Sequence, residues 1–328
     1  MRPPAFDAAS LETLVSAAVA APSIHNTQPW RFHADPATRC LEVRAVPGRA
    51  LPATDPAGRA LHMSVGAAVF NLRVAAVHLG WEPVVRLLPL PSDPGLLAVV
   101  RLAGPARAAR TARRDLYAAL WRRHTSRLPF NSHPLPEELP GEMAEAAHTE
   151  GARLYVPGPA ETGRLLGLTR EAERRNAADA GRTAESRAWI AGPRSGAYGI
   201  PAGALGPKDV RGRVPVRDFA GLAPSRRLPA LPFEARPRVA VLTTRHDRRV
   251  DWLQAGQAME HALLLATARG VRASMLHQAL EWPDLRWALS DPRQEAGHTQ
   301  MLLRIGFGPE GGATPREPAK AALQVGPA

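Results

Sequence analysis

The chain has 328 residues, 45% of them hydrophobic, and a formal net charge of +12. That length and apolar content are enough for a real core and exclude wholesale disorder. All but Lys208 and Lys320 of its 42 basic residues are arginine, with no block of five or six like charges, which argues against a nucleic-acid tract and leaves attraction for small phosphate-bearing ligands.

The first periodic segment, Leu11–Ala21, is alanine-rich and reads as a helix. Asp7 and Glu12 stand where a secretory leader would carry positive charge, and no uninterrupted apolar run reaches the ~18 residues of a membrane span. The expectation is a soluble cytoplasmic protein with neither membrane nor nucleic acid as partner. Cys40 is the only cysteine, which excludes an internal disulfide and a thiolate metal cluster.

Ala21–Phe32, reading APSIHNTQPWRF, follows that helix and precedes a strand at Leu41–Val46. Pro22, Asn26 and Pro29 break the helix, so Ser23, Asn26 and Gln28 fall on a loop and offer uncharged donors and acceptors. Asp55–Gly80 is a long helix stopped by glycine, followed by strands at Pro83–Leu88 and Leu96–Leu102. Arg107–His124 is an arginine- and alanine-rich helix ending in RRHTSRLPF, residues 122–130. Its arginines match phosphate with planar donor forks, although cations also suit any helix C-terminus.

Downstream, strands are expected at Arg153–Val156, Arg238–Thr243 and Gln300–Gly306. Asp251–Gly270 has the length, alanine stripe and terminal glycine of the earlier long helix, and it too leads into an extended stretch, Val271–Leu276. The two halves echo each other. Trp189–Pro237 is rich in proline and glycine and lacks a sustained period, which fits a lid over a ligand.

The NxQPW core of the loop resembles the flavin-contacting loop of the nitroreductase family, whose members are dimers with FMN at the interface. RRHTSRLPFNSHPLPEEL is similar to the family's phosphate- and ribityl-binding element, and Pro315–Pro318 to its closing P-R-x-P element. The resemblance implies that Arg123, His124 and Thr125 address phosphate and ribityl oxygens and that Arg127 meets the flavin N1–C2=O edge. It implies further that Ser23 and Asn26 come from the opposite half, that Met275, Leu276 and His277 line the ring, and that Arg316 is another phosphate ligand. The first half lacks an arginine opening element and the second lacks an NxQPW loop.

More narrowly, DPAGRALHMSVGAAVFNLRVAAVHLGWEP and the single-site layout resemble the actinobacterial Acg subgroup. The expected fold is α+β and nitroreductase-like: two tandem degenerate lobes, residues 1–115 and 116–328, mimic the family homodimer. Each lobe is expected to carry a mixed or antiparallel sheet flanked by helices, with a lid insertion at 189–237. A monomer acting as its own pseudo-dimer would then hold one FMN.

Other signals point nowhere. GFGPEG at 306–311 fits GxGxxG but is followed by too little chain for a βαβ unit. The histidines lack metal-ligand spacing, and Ser195 is not in a nucleophile elbow. Trp30 and Phe32 read as core aromatics, and the role of His25 stays open. Two functions follow from the resemblance. One is an FMN oxidoreductase drawing on NAD(P)H to reduce nitroaromatic or quinone-type acceptors. The other is an FMN storage or sequestration protein with little turnover.

Overall fold

A computed structural model describes residues 6–105, 110–191, 196–219, 228–290 and 297–326. The start of the helix expected from Arg107, and parts of the expected 189–237 lid, lie outside the described residues. The elements run α1 (Ala8–Val19), β1 (Trp30–Asp35), β2 (Cys40–Ala45), α2 (Arg59–His78), β3 (Trp81–Leu87), β4 (Leu96–Pro105) and α3 (Arg110–Arg122). There follow α4 (Leu139–Thr149), β5 (Arg153–Tyr155), α5 (Pro159–Ala178), α6 (Ala180–Ala188) and the two-residue strands β6 (Ile190–Ala191), β7 (Ile200–Pro201), β8 (Lys208–Asp209) and β9 (Ala230–Leu231). The chain closes with β10 (Arg238–Thr244), α7 (Arg249–Ala268), β11 (Arg272–Leu276), α8 (Pro283–Leu289), β12 (His298–Gly306), α9 (Ala319–Ala322) and β13 (Leu323–Val325).

Two sheets dominate. The first has the order β13-β1-β2-β4-β3 and the second β11-β12-β10-β5. Neighbours in both are antiparallel except β13, which adds in parallel to β1 through Phe32 and Leu323. A boundary near residue 115 therefore divides the sheets incompletely, because the end of the chain completes the first one. β1 was not anticipated as a strand; its alternating burial puts Trp30 and Phe32 wholly inside the core, as expected of those aromatics.

The helices α2 and α7 are 20 residues each and form the centre of the core. A helix apolar around most of its circumference must be enclosed on several sides. α2 is long and apolar enough to cross a membrane, yet almost all of it is buried within the fold. Gly80 (φ 92°) and Gly270 (φ 75°) end the two helical segments in the left-handed region, the conformation glycine adopts without steric cost.

The crossing of α2 and α7 is reciprocal. Gly66 and Gly256 are each the eighth residue of their helix. A Cβ on Gly66 would lie 2.1 Å from the Leu253 carbonyl oxygen, and one on Gly256 would lie 2.0 Å from that of Met63. Only glycine at both positions lets the two backbones approach this closely.

Candidate functional site

The loop after α1 is held in an uncommon backbone shape. His25, Asn26 and Gln28 have φ of 50°, 55° and 48°. Left-handed conformations of non-glycine residues cost on the order of 1–3 kcal/mol each, so the surroundings must enforce them. They do so with hydrogen bonds. The Gln28 amide donates to Ser23 Oγ at 3.0 Å, and the Ile24 amide to Ser64 Oγ at 3.3 Å. Asn26 Nδ2 donates to the carbonyls of Gly199 (3.0 Å) and Pro315 (2.9 Å), while its Oδ1 accepts from Arg316 Nη1 at 2.9 Å. Gln28 Nε2 reaches the Ala197 carbonyl at 2.6 Å, and its Oε1 accepts from the Glu317 amide at 2.9 Å. The loop thereby joins the C-terminal segment to the 189–237 insert.

The arginine element is pinned on the opposite side. Thr125 bridges to Ala273 on β11, and the Ser126 amide donates to the Ala273 carbonyl at 2.9 Å. Arg304 of β12, fully buried, donates to the Leu128 carbonyl at 2.6 Å and lies 3.9 Å from the Phe130 ring centroid. These contacts fix Arg123 to Arg127 against the second sheet.

Between loop, element and β11 lie two adjoining cavities, which share Pro22, Ser23, Thr125, Arg127 and Met275. The larger one is apolar, with Met63, Met259, Met275, Met301, Ile24 and Phe219 on its walls. The smaller one is polar and cationic, with Arg123, His124, Thr314 and Arg316. Ser23, Asn26, Arg123, His124, Thr125, Arg127, Met275 and Arg316 line the smaller cavity, and Leu276 and His277 line the larger. The structure thus brings all ten residues singled out from sequence around one connected space.

The cations there are poorly compensated. Arg316 is half-buried, and its enclosed Nε has no hydrogen-bond partner. Burial first, and Arg123 beside it second, push its guanidinium down to about 9. Arg123 is 5% exposed; its Nη2 donates to the Ala20 carbonyl at 3.2 Å and its Nε lies 3.3 Å from Glu260. Burial, Arg123 and Arg316 hold His124 below its ordinary range. Arg127 donates to the Ala204 carbonyl at 2.8 Å, sits 5.3 Å from the Phe219 ring centroid, and is lowered to about 10 by burial and then by Arg217.

Several groups at the apolar end carried no sequence signal. Glu281 is buried, and burial alone would raise it. Arg217 and then His277 overcome that and hold it at about 2. It accepts from Arg217, from Asn176 Nδ2 at 3.1 Å and from Arg182 at 3.3 Å. His277 Nδ1 lies 2.9 Å from Glu281, and its Nε2 lies 2.7 Å from Arg59 Nη2. Because Arg59 only donates, His277 accepts at Nε2 and carries its proton on Nδ1, directed at the carboxylate. Burial likewise favours its neutral form. The insert supplies Val216, Arg217 and Phe219 to this end of the cavity. Glu281 stands four residues after His277, which was the only available hint; Arg217 and Phe219 sit in a stretch without periodicity.

No family model matches the chain. It is 33% identical over 304 residues to a Mycobacterium tuberculosis protein named as a candidate NAD(P)H nitroreductase, covering 92% of this chain and 86% of the relative. It is 29% identical over 320 residues to the M. tuberculosis Acg protein, similarly named, covering 96% and 95%. Among solved structures, a nitroreductase-like family protein from Bacillus cereus aligns at 15% identity, covering 67% of this chain and 98% of that one, with a TM-score of 0.39.

Proposed function

Since the chain belongs to the nitroreductase family, within the Acg subgroup, we propose that it binds one FMN in the two connected cavities and works as an NAD(P)H-dependent flavin oxidoreductase on nitroaromatic or quinone-type acceptors. The observation that carries this reading is the division of the space. An apolar compartment suited to a ring system adjoins a cluster of buried and half-buried arginines short of negative charge. The unpartnered Nε of Arg316 and the closeness of Arg123 fit an anionic phosphate, because charge-assisted hydrogen bonds would satisfy the orphaned donor and relieve the mutual repulsion.

Arg123, His124, Thr125 and Arg316 would hold the phosphate and ribityl chain, with Ser23 and Asn26 closing the other wall. Bound flavin supplies the hydride chemistry; the protein binds, orients and sets the field around it. Arg127 is the cation available to the pyrimidine edge, where negative charge collects on reduction. Met275, Leu276 and His277 would flank the ring, and neutral His277 adds no charge there.

We propose further that the chain is a fused pseudo-dimer of the family's two subunits. The matched lengths of α2 and α7, their equivalent glycines and the reciprocal contact between them support that reading. A second function, FMN storage, is favoured by one observation: Val216, Arg217 and Phe219 of the insert lie on the apolar cavity, and Arg217 is paired with buried Glu281. An insert so held acts as a lid against nicotinamide and acceptor.

Release of FMN on denaturation tests the cofactor, and its absence together with failure to bind added FMN would refute it. Anaerobic mixing of the holoprotein with NADPH tests turnover. Bleaching of the oxidised flavin band within seconds supports the enzyme; an unchanged spectrum after an hour supports storage.

A further inference from the structure

Glu260 is on α7, where α3 and the C-terminal segment meet the helix pair, and its carboxyl is completely enclosed. It faces Arg123, the residue after α3, whose Nε is 3.3 Å away and whose guanidinium lines the phosphate-type cavity on its other side. From the C-terminal segment the charge of Arg316 acts on it, and from α2 it meets neutral Asn71. The nearby Arg73, Glu150 and His261 form their own network between α2, α4 and α7. Neither carboxyl oxygen of Glu260 has a well-aligned hydrogen bond. A buried carboxylate without such bonds is costly, and the charge of Arg123, the amide of Asn71 and the charge of Arg316 offset that cost.

We propose that Glu260 is the internal counter-charge of the phosphate subsite and takes up a proton when a phosphate-bearing flavin binds. This rests on the FMN reading above. A phosphate dianion on the far side of Arg123 competes for the same guanidinium and repels the buried carboxylate. Protonation from the buffer removes that repulsion, so the enclosed cluster never holds two unshared sets of negative charge. Burial holds Glu260 at about 7, with Arg123 opposing that rise, so the exchange falls within the physiological range. Glu260 touches no ligand; it positions Arg123 and tunes its availability.

Titration calorimetry of the full chain with FMN at about pH 7.5, in buffers of different ionisation enthalpy, reads the protons taken up. At that pH the FMN phosphate is already mostly a dianion. The wild type is expected to take up roughly 0.5–0.8 proton per FMN, and its affinity to fall by up to about tenfold per pH unit above pH 7. Glu260→Gln should take up far less and bind FMN with a flatter pH profile. His124→Asn removes the histidine on the phosphate-type cavity; whatever its affinity, its uptake per FMN bound at saturation should match the wild type. Riboflavin, which lacks the phosphate, should bind without it. Absence of uptake in the wild type, or equal uptake in Glu260→Gln, overturns the proposal. Should Glu260→Gln not fold, loss of uptake in His124→Asn or equal uptake with riboflavin overturns it instead. Failure of FMN to bind at all would refute the cofactor reading, a distinguishable result.

Discussion

Glu281 shows how a buried charge can be stabilising to keep and costly to disturb. It is enclosed among Arg217, Arg182, Asn176 and His277, and its pKa is depressed to about 2. Removing one member of a buried pair leaves the other uncompensated, typically at about 3–5 kcal/mol. Glu281→Gln is therefore expected to lower the unfolding free energy, read from denaturant curves, by an amount in that range. The pH dependence has a definite sign. A depressed carboxyl stabilises the fold above its ordinary pKa near 4.5 and loses that contribution as pH falls towards about 2. Thermal melts across pH 5 to about 2 should show the wild type losing stability and Glu281→Gln losing distinctly less. An equal loss in both would mean that another carboxylate dominates acid unfolding.

At the centre of the core, two glycines set the distance between α2 and α7. A methyl group at Gly66 or Gly256 would meet a backbone carbonyl at 2.1 or 2.0 Å, and a backbone cannot swing aside as a side chain can. Gly66→Ala and Gly256→Ala are each expected to cost about 3 kcal/mol or more, at the upper end of overpacking effects. Urea midpoints would measure this. The double variant should cost less than the sum, because the first methyl already forces the helices apart. These helices were legible in the sequence because their period, length and glycine stops are local properties. So were the strands Cys40–Ala45, Leu96–Pro105 and Arg238–Thr244, within a residue or a few at their ends. β1 alternates regularly, with Trp30, Phe32 and Ala34 inward, and was missed because Trp30–Phe32 reads as the end of the preceding loop; β13 was missed because three residues carry no pattern. The helices α4, α5, α6 and α8 were not recognised; α6 buries none of its residues and so carries no apolar stripe to read. Around the cavity, residues belonging to contiguous motifs could be found from sequence. Glu281, Arg217, Phe219 and Glu260 could not, since only the folded chain brings them near those motifs.

At the scale of the molecule, the 189–237 insert is joined to the body at the same loop that walls the cavity. Asn26 and Gln28 hold Gly199 and Ala197, and Arg49 engages the Tyr198 hydroxyl with its guanidinium 4.2 Å from the ring centroid. Loss of one such hydrogen bond is worth about 1 kcal/mol, or roughly fivefold in a local opening equilibrium. Tyr198→Phe is expected to speed amide exchange over residues 196–205 by about that factor while leaving α2 and α7 protected. Mass-resolved hydrogen exchange would read both regions in one experiment. The walls of the cavity also come from a single polypeptide: residues 22–26, 123–127, 274–278 and Arg316 all belong to one chain. When two separate molecules share a site, dilution separates its walls and the bound group is lost with them. Here covalent connection keeps the walls at a fixed, high effective concentration. Ligand retention should thus be insensitive to how scarce the protein becomes, and a holoprotein taken from micromolar to nanomolar should keep its flavin for as long as the intrinsic off-rate allows.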